Sequence, residues 1–411
     1  MHDLREGEVS LASVVAHRDE VARLLARAVA AGEYRFRPAT VRRIRAGGKR
    51  RDVFALSLTD MLVGAAVADA LDVAIAPTLS PSLYSYRAGV PWWRGAQALA
   101  AYARAHQQAR PNPRDRGLYV LRRDVERYTD TIPVGSGSGL WPQLRAALGE
   151  VRSADWELIV DTLRPAIAAR RSGAERRTAG VPTGQPISCV AFNLYLSGLD
   201  HELAAISGAF FARYSDDLVF AHPEPWVVAR AAALIDERIA QLGLRLNQDK
   251  SHDLYLTAAG RPSDHLPAFR GTTTVGLLGL QVTASGTLAL EPAKARALTR
   301  DLSRRANGAA RASATPEEAA RRACSAVRRA LQSDDPGVAT PSAPLVRSVV
   351  TDRGQLRDLD RRIALSVAAA VTGEPSARAF RRLSMRSLRR QHGLPSLVAT
   401  RNASGPRRVR R

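Results

Sequence analysis

The sequence predicts an α+β fold, in which an antiparallel sheet with its helices is followed by a basic, helical C-terminal part. Short segments rich in aromatic and β-branched residues, most clearly residues 210–220, have the composition of strands, and segments of helical periodicity separate them. From residue 291 onward the pattern is helical and rich in arginine. A length of 411 residues allows about two to three domains with a sizeable core.

Residues 210–220 contain two adjacent carboxylates. Two apolar runs flank Asp216 and Asp217, and a tight turn between two strands would hold both acids out of the core. Like charges side by side repel each other, so such a pair is costly unless a cation binds to it. The alternative is an ordinary hairpin turn, because aspartate suits turns. This stretch by itself leaves both interpretations open.

The net charge of +22 is concentrated near the C-terminus. Residues 291–411 hold 26 basic and 10 acidic residues, a net charge of +16, whereas the first 290 residues carry +6. Only three of the 61 basic residues are lysines, which is typical of a GC-biased genome. That bias explains the preference for arginine over lysine, but it does not explain the excess of basic over acidic residues. A basic region on a near-neutral body favours nucleic acid as the partner.

Cysteine usage and hydropathy indicate a soluble, cytoplasmic protein with no membrane partner. Cys189 and Cys324 lie far apart and have no Cys or His at metal-ligand spacing, which argues against a disulfide scaffold or a zinc module. The N-terminus lacks the apolar core of a signal peptide. No stretch approaches the ~18 apolar residues that a membrane span needs.

The N-terminal third alternates helices with a basic hairpin and an aromatic loop. A Gly-Gly turn joins two strand-like pieces within residues 42–56, and this hairpin either reaches a phosphate chain or is a solvated charged turn. The loop at residues 79–89 contains two tyrosines and an arginine, and a Pro-Asn-Pro break follows further on. Helical spacing of apolar residues predicts helices over residues 10–31, 58–71 and 96–106.

The middle of the chain supplies further strands and helices. An apolar strand within residues 117–124 ends on Asp124, which delivers a carboxylate to the edge of a sheet, although a lone Asp there is more often a cap. Residues 140–171 have helical spacing, and a Gly/Pro loop follows at residues 180–189.

Beyond the Asp pair, an amphipathic helix is expected over residues 226–242. It leads into a strand containing Asn247 and Lys250, and a Gly-interrupted strand follows at residues 275–282.

The C-terminal part is predicted to be helical and basic. Thr315 and Glu318 form a capping box, with Pro316 at the first helical position. A linker rich in Pro, Ser and Asp covers residues 333–344, helices are expected at residues 356–371 and 377–390, and the tail from Arg401 is expected to be disordered.

Taken together, this order of motifs resembles the palm of a reverse transcriptase over roughly residues 40–290. Each motif alone is weak, but several fall in the right order and at workable spacing. The hairpin containing Arg51 and the loop containing Tyr84 and Arg87 also look like the fingers of prokaryotic members. The resemblance implies a right-hand polymerase with N-terminal and fingers residues 1–110, palm residues 111–290, a basic helical thumb and RNA-binding region at 291–400, and a disordered tail at 401–411.

The resemblance also implies the chemistry. Nucleotidyl transfer uses two divalent ions roughly 4 Å apart, one activating the primer hydroxyl and one holding the leaving pyrophosphate. Mg²⁺ prefers carboxylate oxygens and water, and Mn²⁺ can substitute for it. Asp124, Asp216 and Asp217 match the family's catalytic acids. The implied metal-binding residues are Asp124, Val125, Asp216 and Asp217.

Lys250 matches the family position that meets the incoming triphosphate, and only two other lysines occur in the chain. Arg51, with Lys49, is expected to cover the triphosphate from the fingers. The nucleotide-binding residues that the resemblance implies are Lys49, Arg51, Tyr128, Thr129, Thr183, Gly184 and Lys250.

Two positions depart from the family pattern. The residue five after the first catalytic Asp, usually an aromatic that excludes a ribose 2′-hydroxyl, is Thr129 here, after Tyr128. Either Tyr128 takes that role or sugar discrimination is looser. The loop from Thr183 and Gly184 to Ser188 departs from the common Gln-Gly form and is closer to diversity-generating and defence-associated bacterial groups.

The function implied is an RNA-directed DNA polymerase that uses dNTPs to make cDNA from a structured, dedicated non-coding RNA, with antiphage defence as the role. This role is inferred because the chain shows no endonuclease, RNase H or integrase motifs. The alternatives are a diversity-generating retroelement enzyme, an Abi-like polymerase that needs no template, and a non-enzymatic RNA-binding scaffold with a vestigial palm. The intact acids and Lys250 argue against the scaffold. A homo-oligomer or an accessory protein stays open.

Overall fold

The computed structural model describes residues 10–46, 49–109, 117–169 and 173–403. The chain forms two compact units. The first combines the residues up to Gly95 with Tyr119–Leu254, and the second combines Ala96–Leu118 with the residues from Tyr255 onward. Helices and β-strands occur in both, so the predicted α+β class is confirmed. The units do not coincide with the four-part division into fingers, palm, thumb and tail, which stays a prediction.

The first unit contains the strands around the Asp pair and most of the helices predicted in the first 250 residues. Its strands are β1 (Thr40–Ala46), β2 (Lys49–Ala55), β3 (Leu118–Asp124), β4 (Ile167–Ala169), β5 (Gly173–Glu175), β6 (Phe210–Tyr214), β7 (Asp217–His222) and β8 (His252–Leu256). Its helices are α1 (Leu11–Ala16), α2 (Arg18–Ala30), α3 (Leu58–Ile75), α5 (Tyr128–Thr131), α6 (Leu140–Leu148), α7 (Ser153–Leu163), α8 (Ile187–Tyr195), α9 (Ser197–Ala204) and α10 (Pro225–Gln241), while α4 (Arg94–Gln108) continues into the second unit.

The central sheet of this unit has the strand order β6-β7-β3-β8. Strand β7 is antiparallel to both of its neighbours, and its aromatic and β-branched residues are almost fully buried. Such residues favour strands because they pack well on a pleated, buried surface. The pairing of β3 with β7 sets Asp124 opposite Asp217, so both acids lie at the same end of the sheet.

Helices cover this sheet because they offer apolar faces. Helix α10 packs against β7 through Val228, Ala231 and Ile235, which recur at helical spacing and are buried. Helix α8 is apolar on nearly all sides and packs against α3, α6 and α7. A helix that is hydrophobic all round belongs in the interior.

The second unit is mainly helical. Its strands are β9 (Arg270–Thr272), β10 (Thr274–Leu277), β11 (Leu280–Thr283) and β12 (Leu288–Leu290), of which β10, β11 and β12 form an antiparallel sheet. Its C-terminal helices are α11 (Pro292–Arg311), α12 (Pro316–Gln332), α13 (Ala343–Ser348), α14 (Arg353–Thr372), α15 (Ala379–Arg382), α16 (Met385–Arg390) and α17 (Leu397–Ala403). Within the described ranges no helix combines the length and apolar character that a bilayer crossing requires.

The predicted capping box at the start of α12 is confirmed. The Glu318 N–H donates to Thr315 Oγ1 at 3.2 Å, and the Glu318 carboxylate accepts from the N–H of Ala314 at 3.1 Å. Helices α11, α12 and α14 pack on one another through small and aliphatic side chains, and the arginines of α12 face away from that contact.

Several predicted elements are wrong in detail. The helix predicted over 140–171 breaks at Gly149 and ends at Leu163, after which β4 and β5 form a short hairpin. Gly149 adopts φ +69° and ψ −140°, a backbone conformation that favours glycine and cannot continue a helix. The predicted strand with Asn247 and Lys250 is mostly a turn. The helices predicted at 10–31 and 377–390 are each divided into shorter pieces, and the tail from residue 404 lies outside the described residues.

Asp360 is a buried acid that should stabilise the second unit. Its buried carboxylate accepts hydrogen bonds from Ser396 Oγ and from the N–H of Leu397, both at 2.8 Å, and it pairs with Arg389 at 2.8 Å. We expect Asp360→Ala to lower the free energy of unfolding by about 2–4 kcal/mol, because it leaves a cation and a helix start without their acceptor. Urea denaturation measures this.

Asp358→Ala is the matched control, since Asp358 lies on the same helix in an exposed pair with Arg362. Equal loss of stability in the two variants would contradict the structural role assigned to Asp360.

Candidate active site

Three carboxylates meet at the end of the central sheet. Asp217 is the first residue of β7, Asp124 is the last residue of β3, and Asp216 lies in the two-residue turn between β6 and β7. Residues directly opposite on antiparallel strands have Cβ atoms about 4.5–5.5 Å apart. The predicted turn is therefore present, and the fold brings Asp124 to it from nearly a hundred residues upstream.

A buried ion pair between Arg213 and Asp200 supports the turn. The Arg213 side chain has no solvent exposure, and its guanidinium binds both carboxylate oxygens of Asp200, at 2.7 and 2.6 Å. Its remaining N–H groups donate to the backbone carbonyls of Phe192, Asn193 and Ser215, at 2.8 to 3.0 Å. All five donors of the guanidinium are therefore satisfied, and one of the acceptors is the turn itself.

Ser85 also holds the turn in place. Ser215 has a φ of +57°, which is unusual for a residue with a side chain. Its N–H donates to Ser85 Oγ at 3.0 Å, and Ser85 Oγ donates to the buried Asn193 side chain at 2.9 Å. These contacts hold the strained turn in place. A residue with an unfavourable φ persists only where such contacts surround it.

Backbone hydrogen bonds fix Asp124 and its neighbours. The N–H of Val125 donates to the carbonyl of Asp216 at 2.9 Å, and the carbonyl of Asp124 accepts from the N–H of Asn247 at 2.8 Å. The turn that follows Asn247 brings Lys250 back over the sheet. Its ammonium contacts both carboxylate oxygens of Asp124, at 2.8 and 2.7 Å, while half of the Lys250 side chain stays exposed.

Arg122 binds the second carboxylate of the site. Arg122 precedes Asp124 by two residues, so both side chains lie on one face of β3. The guanidinium donates to Asp217 Oδ2 at 2.9 Å, and the Asp217 side chain is only 15% exposed. Burial raises the pKa of the Asp217 carboxyl; the charges of Asp216 and Asp124 also raise it, and the pair with Arg122 lowers it.

The three carboxylates are the type of donor that a divalent cation prefers. Three carboxylates at one end of a sheet offer the hard oxygen ligands that such ions prefer, and a cation would relieve the repulsion that raises the pKa of Asp217. In the described part of the chain, no group of three or more His, Cys or acidic side chains is placed so that it could hold a metal ion as it stands. Lys250 and Arg122 bind the carboxylates of Asp124 and Asp217, so a cation at this end of the sheet would have to replace those ion pairs.

The Gly/Pro loop lies against the N-terminal hairpin. The carbonyl of Thr183 accepts from the N–H of Phe54 at 3.2 Å, and Gln185 donates to the carbonyl of Phe54 at 3.0 Å. Gly184 has a φ of +95°, and a Cβ there would lie 2.9 Å from Val53, so only glycine suits this position. The loop and β2 are therefore joined. Lys49 and Arg51 belong to β2, but their side chains lie outside the described residues.

Tyr128 is buried, contrary to what contact with a nucleotide sugar requires. Its side chain is 2% exposed, its hydroxyl donates to the carbonyl of Phe192 at 2.9 Å, and its ring packs on the Phe192 ring with centroids 5.6 Å apart. Burial raises its pKa strongly. Thr129 is half-buried, so of the two candidates it is the more accessible.

Sequence reasoning missed Arg122 and the role of Arg213. Arg122 had a usable signal, since its two-residue spacing from Asp124 places it on the same face of a strand. Arg213 is a charged residue within an apolar strand, which is a sign of a buried partner. The partner Asp200 lies on a separate helix, so the sequence did not identify it.

Comparison with known proteins agrees with this geometry. Residues 141–282, about a third of the chain, match the family model described as reverse transcriptase (RNA-dependent DNA polymerase). This part of the chain is therefore similar to reverse transcriptases. The match includes Asp216, Asp217 and Lys250, and Asp124 lies just before it. Proteins that this model describes are RNA-dependent DNA polymerases, which are nucleotidyltransferases.

Solved structures similar to the chain include telomerases. One is a Candida tropicalis telomerase truncated from its C-terminal domain, with 12% identity, a TM-score of 0.48 and coverage of 62% of this chain and 55% of that one. Another is Candida albicans telomerase in complex with a telomeric RNA fragment, with 10% identity, a TM-score of 0.49 and coverage of 91% and 67%. This chain therefore spans about half to two thirds of their length, and similarity at this level carries no argument about function. No curated protein matches the sequence.

The buried pair of Arg213 and Asp200 should contribute strongly to stability. We expect Asp200→Asn to lower the free energy of unfolding of the first unit by about 3–5 kcal/mol, because it leaves the guanidinium of Arg213 buried without a counter-ion. Chemical denaturation followed by tryptophan fluorescence measures the loss.

Glu202→Gln on the same helix is the control, since Glu202 pairs with Arg238 at a partly exposed site and should change stability little. A wild-type denaturation midpoint in Asp200→Asn would rule out the pair as the support of the turn.

The raised pKa of Asp217 should make the stability of the protein depend on pH. Because its folded-state pKa is raised, the folded protein holds this proton more tightly, and that stabilising effect is lost as the pH rises through the folded-state pKa. Without divalent cations, Asp217→Asn should therefore unfold at a higher temperature than the wild type at pH 7. The difference should shrink toward pH 4.

Thermal unfolding in EDTA across this pH range provides the measurement. The exposed residue Asp249 supplies the control variant, Asp249→Asn. If Asp217→Asn is less stable than the wild type at pH 7, the pair with Arg122 outweighs burial and charge repulsion.

Proposed function

We propose that this protein is an RNA-directed DNA polymerase that uses Mg²⁺ and dNTPs to make cDNA from a structured, dedicated non-coding RNA, in a bacterial defence role. The observation that carries the polymerase proposal is the register of β3 and β7. It sets Asp124 opposite Asp217, beside Asp216 in its turn and within reach of Lys250.

Asp124, Asp216 and Asp217 are the residues that would hold the ions. When bound there, two Mg²⁺ ions would activate the primer hydroxyl and neutralise the leaving pyrophosphate. Val125 contributes no side-chain donor, and its role is to tie β3 to the turn through its N–H. The ammonium of Lys250 is placed where it could meet a triphosphate, since it is half-exposed and lies beside Asp124.

The nucleotide is proposed to lie between the carboxylates and the loop at Thr183 and Gly184. That loop is joined by hydrogen bonds to β2, which carries Lys49 and Arg51. A basic strand fixed beside the nucleotide loop is a suitable place from which to cover phosphates. Thr129 leaves more room at the sugar than an aromatic side chain would, so sugar selection is proposed to be looser than in relatives with an aromatic there.

RNA is proposed to bind the second unit. A groove along α11 is lined by exposed arginines and small polar residues, which are Thr299, Arg300, Ser303, Arg304, Asn307, Gly308 and Arg311. Arginine forks on one helix face suit a phosphate chain, and retention of RNA there should weaken steeply with salt. The non-coding template and the defence role are supported by the form of the Thr183–Gly184 loop, which resembles defence-associated and diversity-generating groups.

The catalytic assignment is tested with Asp216→Ala. We expect dNTP incorporation on an RNA template to fall by about 10³-fold or more, because loss of a metal ligand removes several kcal/mol of transition-state stabilisation. EDTA should abolish incorporation, and Mg²⁺ should restore it. The measurement is primer extension with purified protein, together with sequencing of any RNA that copurifies.

Asp249→Ala, an exposed acid outside the cluster, is the matched control and should extend primers normally. Equal incorporation by Asp216→Ala and wild type would refute the catalytic role. Extension without any template would instead favour the Abi-like polymerase, and equal use of rNTPs would agree with the looser sugar selection proposed for Thr129.

A further inference from the structure

Tyr86 is a strained and exposed residue on the surface of the first unit. Its side chain is 43% exposed, and its φ of +49° lies in the left-handed region that bulky residues rarely adopt. A strained conformation persists only where surrounding contacts hold it, and such residues cluster at functional sites.

The contacts that hold Tyr86 also belong to the active site. Its neighbour Ser85 accepts from the N–H of Ser215 in the Asp216 turn, and Asn193 donates to the Ser85 carbonyl at 3.0 Å. On the other side, Arg87 donates to the carbonyl of Ser80 at 3.0 Å and closes the loop. The loop is therefore fixed to the turn, and these contacts hold the strained residue Tyr86 in one position beside it.

Tyr86 forms an aromatic surface together with Tyr214. Their ring centroids lie 5.8 Å apart with a tilt of 45°, and the Phe192 ring lies 6.1 Å from Tyr86. Tyr214 is half-buried and directly precedes the turn. Burial raises the pKa of the Tyr86 hydroxyl, and a hydrogen bond with Ser215 acts in the opposite direction.

The position of this surface along the sheet indicates which part of the substrate it meets. In the strand order β6-β7-β3-β8, Tyr214 lies on β6, the carboxylates lie on β7 and β3, and Lys250 lies just before β8. In an in-line displacement, the attacking hydroxyl and the leaving pyrophosphate are on opposite sides of the phosphorus. If Lys250 holds the triphosphate, the strand end that attacks lies on the side of Tyr214 and Tyr86.

We propose that Tyr86 is a platform residue that stacks against the terminal nucleotide of the strand being extended. This inference rests on the proposed polymerase function. Nucleobases stack on exposed aromatic rings whatever their sequence, which suits a site that every newly added nucleotide must occupy in turn. A ring held in a strained but fixed orientation loses little entropy when a base stacks on it.

The test compares Tyr86→Ala, Tyr86→Phe and wild type on an RNA template whose DNA primer ends in 2-aminopurine. We expect Tyr86→Ala to weaken the Kd for the template–primer by about tenfold, as loss of one stacking contact predicts, with the KM for dNTP within about twofold of wild type. The fluorescence quenching of the terminal base should diminish in Tyr86→Ala and persist in Tyr86→Phe, which keeps the ring.

Trp226→Ala is the matched control, since Trp226 is an exposed aromatic on α10, away from the turn, and should leave binding and extension unchanged. Tyr86→Leu repeats the test with side-chain bulk but no aromatic ring, in case the alanine variant does not fold. Wild-type binding and quenching in folded Tyr86→Ala or Tyr86→Leu would overturn the inference. So would a raised KM for dNTP with unchanged Kd, which would assign the ring to the incoming nucleotide. Failure of wild type itself to bind or extend primers would refute the proposed function.

Discussion

The buried pair of Arg213 and Asp200 is the interaction on which the site depends. A guanidinium with no exposure to water is tolerated only if every donor is satisfied, because an unpaired charge in the interior is very costly. Here the acceptors come from the end of helix α8, from helix α9 and from the turn that carries Asp216. Any shift of one of these elements would leave part of the charge unpaired. The pair therefore fixes the turn relative to two helices.

Backbone strain is concentrated around the same turn. Among the described residues, four with side chains have positive φ, and three of them, Tyr86, Arg127 and Ser215, lie in or beside the segments that carry the carboxylates. Each costs free energy that the surrounding contacts must offset. Burial and charge repulsion at Asp217 add to that cost. The unit thus gives up stability around the turn, and binding of the proposed cation and substrate there would restore it.

The chain supplies its own cations to this cluster. Lys250 binds Asp124, and Arg122 binds Asp217, so two of the three acids are neutralised within the first unit. The two cations differ in character. Arg122 extends from the middle of a strand and is mostly buried, which suits a permanent partner, whereas Lys250 follows a turn and is half-exposed, which suits a group that exchanges partners.

The sequence by itself determined the features that depend on neighbouring residues. The strands around Asp216 and Asp217, the turn between them and the capping box at Thr315 follow from local periodicity and turn chemistry, and the structure contains all three. The break at Gly149 was missed, since a helical pattern continues on both sides of it. Only the tertiary structure decided that Asp124 faces Asp217, that Arg213 pairs with Asp200 and that Tyr128 is buried while Tyr86 is exposed. The first depends on the register of two strands far apart in the chain, where a shift of one residue would turn each side chain to the opposite face. The others depend on how helices and a loop pack against that sheet, which neighbouring residues do not specify.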